Sequence, residues 1–177
     1  AISLQIITGL VLAFIMNQPK FKGPNVFKAI YYFPGLVTSI SLSMLFWMLF
    51  DWQVGAANGI LLSLNLIEEH INWKMNTDFA RGVITFILWY QVFGNYTILF
   101  TAGIKGISRD MLEAAQIDGA GRFSVFTRIT LPLLRPVITY VAIISIIGGL
   151  QIFEVNYVIG GVNGDPAHST LSMSVYM

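Results

Sequence analysis

Two pairs of polar side chains interrupt otherwise apolar runs in this chain of 177 residues. Gln91 and Asn95 lie four apart in GVITFILWYQVFGNYTILFTAGI, so a helix would carry both on one face. Gln151 and Glu154 lie three apart in VITYVAIISIIGGLQIFEVNYVI, with Asn156 just beyond. Amides and a carboxylate near Trp89, Tyr90 and Tyr96 can bond hydroxyls while aromatic faces cover C–H surface, which is the chemistry a sugar requires. The same groups can instead bond between helices or sit hydrated at the ends of the apolar runs. Burial in lipid is costly for either use, so both readings turn these side chains toward protein or water. Ser145, Gly148 and Gly149 suit close helix packing.

Catalytic constellations do not form. The sequence contains no GxxxxGK[ST] phosphate loop, so it offers no Walker site for ATP. His70 and His168 stand alone, without an HExxH or GxSxG pattern. Cysteine is absent, which excludes disulfide frameworks and thiolate metal sites. The reading calls for no enzyme activity, cofactor or metal.

The elements that must position the polar pairs follow from composition. Hydrophobic residues make up 55% and charged residues 11%, against roughly 25% charged in an ordinary globular chain. With a mean hydropathy of +0.70, the chain is solvated mostly by lipid. A net charge of +1 and the lack of an aromatic-interleaved basic run argue against nucleic acid. Four apolar segments are long enough to suggest spans: 1–16, Ala29–Phe50, Gly82–Ile104 and Val137–Ile159. Pro34 inside the second is tolerable, because hydroxyls such as Thr38 and Ser39 can satisfy a disturbed backbone. The fold class is therefore an all-α, polytopic helix bundle.

Loop charges orient it. Lys20, Lys22 and Lys28 follow the first segment, and Lys105, Arg109, Arg122, Arg128 and Arg135 follow the third. Lys74 and Arg81 follow the second, and no Lys or Arg follows the fourth. Eight against two puts loops 17–28 and 105–135 in the cytoplasm. In the outer loop, Ile60, Leu64, Ile67 and Ile71 fall at helical spacing, predicting a short amphipathic helix at the outer surface or plugging the bundle. The opening segment lacks a charged leader and a cleavage site, and the chain reads as an internal piece missing a span at each end.

The loop from Lys105 to Arg135 is the richest segment. Ser108 can cap a helix whose first turn carries Asp110, and Met111, Leu112 and Ala115 are expected to share a face. Gly119 and Gly121 should end this helix, since glycine reaches positive φ without steric cost. RFSVFTRIT restarts helix with Phe123 and Phe126 on one side, and Pro132 and Pro136 are expected to end it. The result is an elbow of two short helices that either packs on its own bundle or docks a partner.

Glu113-Ala114-Ala115, then Gly119, then Ile129-x-Leu131-Pro132 resembles the EAA motif of permease subunits in binding-protein-dependent ABC importers. EAAQIDGAGRFSVFTRITLPLLRP is similar in particular to the sugar-importing, maltose- and glycerol-phosphate-type branch. FKAIYYFPGLVTSISLSMLFWMLFD and ILWYQVFGNYTILFTAGIKGIS resemble that branch's third and fourth core spans. FEVNYVIGGVNGDPAHSTLSM resembles its outer loop after span five, with Glu154 for the usual Asp and the proline delayed to Pro166. The resemblance covers nearly the whole chain, as core spans two to five of six.

It implies a single transmembrane domain over 1–177, with 105–135 as the coupling segment that docks in a cytoplasmic ATPase subunit. Glu113 would anchor it by charge, Ala114 and Ala115 would allow close approach, and Gly119 would set the bend. Asp118, Ile129, Leu131 and Pro132 complete the implied coupling set. Implied partners are a second permease, two ATPase subunits, an extracellular or periplasmic solute-binding protein, a sugar and membrane lipid. The implied location is a bacterial inner membrane. Gln91, Asn95, Tyr96, Gln151 and Glu154 are the candidate substrate path. Competing readings are an ion-coupled secondary transporter using Glu154, a membrane scaffold, or the same importer class moving a non-sugar such as glycerol phosphate.

Overall fold

The computed structural model describes residues 1–18, 23–73 and 75–177. Lys20, Lys22 and Lys74, counted in the loop-charge argument, lie outside the described residues. All regular structure among those residues is helical. Helices α1 (Ile2–Met16), α2 (Pro24–Leu36), α3 (Ser39–Leu49), α4 (Ala56–Ser63) and α5 (Thr77–Lys105) come first. The connector holds α6 (Arg109–Ile117), α7 (Arg122–Val125), a π turn (Phe126–Thr130) and α8 (Leu131–Leu133). Then follow α9 (Arg135–Leu150), α10 (Glu154–Gly160) and α11 (Met173–Tyr176).

The expected spans are realised unevenly. Among the described residues, α5 is the one helix long and apolar enough to cross a membrane alone, at 29 residues. Two interrupted pairs qualify if each is one span: Val26–Leu36 with Ser39–Leu49, and Arg122–Leu133 with Arg135–Leu150. The opening segment gives a helix of only 15 residues.

The segment read as a span over Ala29–Phe50 is broken at residues 37–38. Pro34 denies its turn an N–H, α2 stops at Leu36, and Thr38 starts a new helix. The Thr38 hydroxyl accepts the Ser41 N–H at 3.3 Å and donates to the Ser41 hydroxyl at 2.9 Å.

The segment read as a span over Val137–Ile159 is also divided, since α9 ends at Leu150 and α10 starts at Glu154. Carbonyls at the end of a helix need donors. Ser174 donates to the Leu150 carbonyl at 3.2 Å and Ser172 donates to the Ile152 carbonyl.

The chain folds as two compact units interleaved in sequence. The first, Ala1 aside, comprises Leu36–Gln91 and Ile147–Met177; the second comprises Ile2–Gly35 and Val92–Ile146. In the first unit Leu42 and Phe46 of α3, Val83, Ile84 and Ile87 of α5, and Val155 and Ile159 of α10 form the core. Phe46 adds edge-on contacts to Phe86 at 5.4 Å and Tyr90 at 5.6 Å.

The outer loop of this unit departs from the expected amphipathic helix. Helix α4 stops at Ser63, so Ile67 and Ile71 lie beyond it in irregular chain. The loop is organised instead by Asn58, which is fully buried. Its amide donates to the carbonyls of Trp52 (3.1 Å) and Ile71 (2.9 Å). Its oxygen accepts from the Ile71 N–H (3.3 Å) and the Trp73 indole (2.9 Å). His70, exposed, donates to the Trp52 carbonyl at 2.8 Å.

In the second unit Ala13 of α1, Tyr96 and Phe100 of α5, and Val141 of α9 form the core. Helix α2 meets α5 at Gly94, where any Cβ would overlap the Tyr31 carbonyl. Ser145 of α9 donates to the Tyr96 hydroxyl at 2.7 Å, the polar adhesive expected between apolar helices. Gly148, predicted as a packing contact, is exposed, and a Cβ there would touch nothing.

Candidate functional site

The connector has the predicted helix, glycine bend and helix, with differences in detail. Ser108 occupies the position before α6, but its side chain makes no capping bond. Helix α6 has no buried residue. Leu112 and Ala115 are half-buried, whereas Met111, expected beside them, is exposed with Glu113, Ala114 and Asp118. Ile117 is 86% exposed.

The bend is a Schellman turn. Ala120 N–H reaches the Ala115 carbonyl and Gly119 N–H reaches the Gln116 carbonyl, both at 3.0 Å. Gly119 takes φ +82°, and a Cβ built on it would meet nothing within 4 Å. Backbone conformation alone therefore demands glycine here. Gly121 instead takes φ −65° as the residue before α7.

Beyond the bend, Phe123 and Phe126 do not share an environment. Phe123 is 72% exposed, while Phe126 packs on Phe14 with ring centres 4.3 Å apart. Pro132 does not end the helix as predicted. The preceding turn widens to π, with Leu131 N–H bonded to the Phe126 carbonyl, and helix continues through Pro132. A proline ring crowds the carbonyl four residues before it, and a widened turn relieves that clash. The break falls at Leu134, buried at the corner of a 64° bend into α9. Ile129 and Leu131 are half-buried, and Pro132 is exposed.

A cavity of about 150 Å³ lies under α6, between the end of α1, the end of α5 and the π turn. Leu112 and Gln116 of α6 help line it.

The polar pairs are brought together only in part. A cavity of about 350 Å³ in the first unit is lined by Gln91, Gln151 and Glu154, with Ser39, Leu88 and Phe153 beside them. That volume falls in the range of small-ligand pockets. Among the described residues Glu154 is its one charged lining group. The Gln91 amide donates to the Ser39 hydroxyl at 3.0 Å and the Val37 carbonyl at 3.4 Å, so it also secures the chain break before α3.

Asn95 and Tyr96 do not line this cavity. Tyr96 is buried against Ser145, and Asn95 is half-buried on α5. Phe153 was missed by the sequence reading; its place in the break between α9 and α10 is visible only in three dimensions.

Comparison with known proteins agrees over nearly the full chain. The lactose transport system permease protein LacF of Rhizobium radiobacter is 32% identical over 176 residues, covering 99% of this chain and 59% of its own length. The arabinooligosaccharides transport system permease protein AraP of Bacillus subtilis is 34% identical, covering 95% and 53%. The trehalose/maltose transport system permease protein MalF of Thermococcus litoralis is 34% identical, covering 99% and 58%. The chain thus spans between about half and three fifths of these relatives.

In fold it is similar to a chain of a bacterial ABC transporter involved in import of the acidic polysaccharide alginate. The TM-score is 0.73 at 21% identity, over 98% of this chain and 59% of that one. The family described as binding-protein-dependent transport system inner membrane component matches residues 5–176, and the chain belongs to it.

Proposed function

We propose that this chain is the permease part of an ATP-driven importer that takes up a carbohydrate, of oligosaccharide size, by alternating access. The family supports membrane transport dependent on a binding protein. Relatives named for lactose, arabinooligosaccharides and trehalose/maltose favour a sugar over glycerol phosphate. The implied assembly holds a second permease, two ATPase subunits and a solute-binding protein in a bacterial inner membrane, crossed several times by this chain.

The observation that carries the coupling role is the rigid elbow at 105–135. A short helix with no buried residue, closed by a Schellman turn, presents Glu113, Ala114 and Asp118 outward. Such an element transmits displacement better than a flexible loop, and its small residues let a partner surface approach closely. Ile129, Leu131 and Pro132 connect it to α9, so movement of the elbow reaches the helix bundle. Ala115 and Gly119 set its inner contact and its bend. Gln91, Gln151 and Glu154 form the substrate path, while Tyr96 ties α5 to α9 through Ser145.

The test is Glu113→Lys in the complete transporter. Membrane insertion should match wild type, while receptor- and substrate-stimulated ATP hydrolysis and uptake should be lost. Normal uptake by this variant would remove the coupling assignment.

A further inference from the structure

The cavity under α6 has no part in the transport path proposed above. Every described residue lining it belongs to the second unit. Phe14, Ile104 and Phe126 form an apolar wall, and Asn17, Gln116 and Arg122 supply polar groups. Among the described residues Arg122 is the one ionisable residue in the lining, and it is exposed. An occupant matching this surface has an apolar body and an anionic end. An apolar cavity of about 150 Å³ takes up a benzene ring, so this one admits the first few carbons of a chain rather than a whole lipid.

The cavity's position names the source. It lies where α1 and α5 lead into the two loops that hold eight of the ten Lys and Arg residues. Cationic segments of this kind meet the anionic headgroups of the cytoplasmic leaflet.

We propose that the cavity is a binding site for an anionic phospholipid. The phosphate pairs with Arg122, and the start of one acyl chain lies against Phe14 and Phe126. Because Leu112 and Gln116 bring α6 into the lining, a bound lipid holds α6 against α1 and the π turn. That consequence rests on the coupling role given to α6; the binding site itself does not.

The experiment uses the complete purified transporter, exposed to phosphatidylglycerol or phosphatidylcholine and read by native mass spectrometry. Wild type should retain phosphatidylglycerol in preference to phosphatidylcholine. Arg122→Gln should weaken that retention about fivefold, the value of one basic side chain near an anionic surface, and Arg122→Lys should restore it. Leu112→Trp, which fills the cavity and leaves the charge in place, should remove the same adduct.

Equal retention by wild type, Arg122→Gln and Leu112→Trp would overturn the proposal. So would displacement of the adduct by millimolar inorganic phosphate, which has no chain to bury. Receptor-stimulated ATPase activity in nanodiscs with and without phosphatidylglycerol forms a separate arm. Arg122-dependent binding with no change in that rate would support the site and overturn its regulation of the elbow.

Discussion

Replacing Gly119 by asparagine, alanine and valine isolates what the elbow's bend requires. At φ +82° the position is left-handed, and no atom stands within 4 Å of a built Cβ. The cost of a side chain is therefore conformational and owes nothing to collision. An L residue pays about 1–2 kcal/mol in this region, asparagine less, and a β-branched residue more. Each 1–2 kcal/mol lowers the ratio of closed to opened bend by about 5- to 30-fold.

Opening releases the two 3.0 Å bonds to the Ala115 and Gln116 carbonyls and frees the end of α6. The cores of both units lie elsewhere, so membrane yield and thermal midpoint should hardly move. Receptor-stimulated ATPase activity in proteoliposomes should fall in the order Gly, Asn, Ala, Val, and protection of the Ala120 amide from hydrogen exchange should drop about fivefold in the alanine variant. Wild-type stimulation in the valine variant would refute the reasoning. So would asparagine performing no better than valine, because that pattern would indicate a lost contact in place of a backbone requirement.

Three further outcomes follow from other sites. Gly94→Ala drives a Cβ into the Tyr31 carbonyl, so α2 must shift from α5; a loss of about 3 kcal/mol or more should appear as a lower thermal midpoint in detergent. Asn58→Leu strands two part-buried donors and the Ile71 carbonyl, while the Trp52 carbonyl keeps its bond from His70; a cost of about 3 kcal/mol should appear as faster proteolysis of the 51–78 loop at unchanged ATPase coupling. Glu154→Ala removes the charged lining group of the first-unit cavity; half-maximal uptake should need about tenfold more substrate at unchanged basal ATPase activity, since a hydrogen bond to a charged group contributes about 1.5–3 kcal/mol.

The elbow was legible because its signals are local. A glycine nine residues after Ser-Arg-Asp both limits the length of α6 and supplies its turn. The length of an apolar run likewise located α5, whose length and composition suffice on their own. What could not be read depends on partners distant in sequence. The role of Asn58 leaves no mark in the sequence, because its bonding partners Ile71 and Trp73 lie 13 and 15 positions away. The division after Leu150 is stabilised by serines 20 and 24 positions from the carbonyls they cap. Pro132 misled because a proline is read as a stop, while the π turn before it allows helix to continue. Within the polar set, Gln91, Gln151 and Glu154 met in one cavity; Tyr96 joined a helix contact whose other half, Ser145, is 49 residues away.

The interleaving of the two units has a consequence for biosynthesis. A ribosome releases the chain in order, and the second unit has all of its residues once Ile146 has emerged. The first unit begins at Leu36, well before that, yet still lacks Ile147–Met177. Val155 and Ile159 belong to its core, and Ser172 and Ser174 finish the carbonyls after α9. The early half of the first unit must therefore wait, without the Val155 and Ile159 part of its core, through the synthesis of more than fifty intervening residues. Over these residues the elbow-bearing unit therefore emerges in full before the unit bearing the polar cavity does.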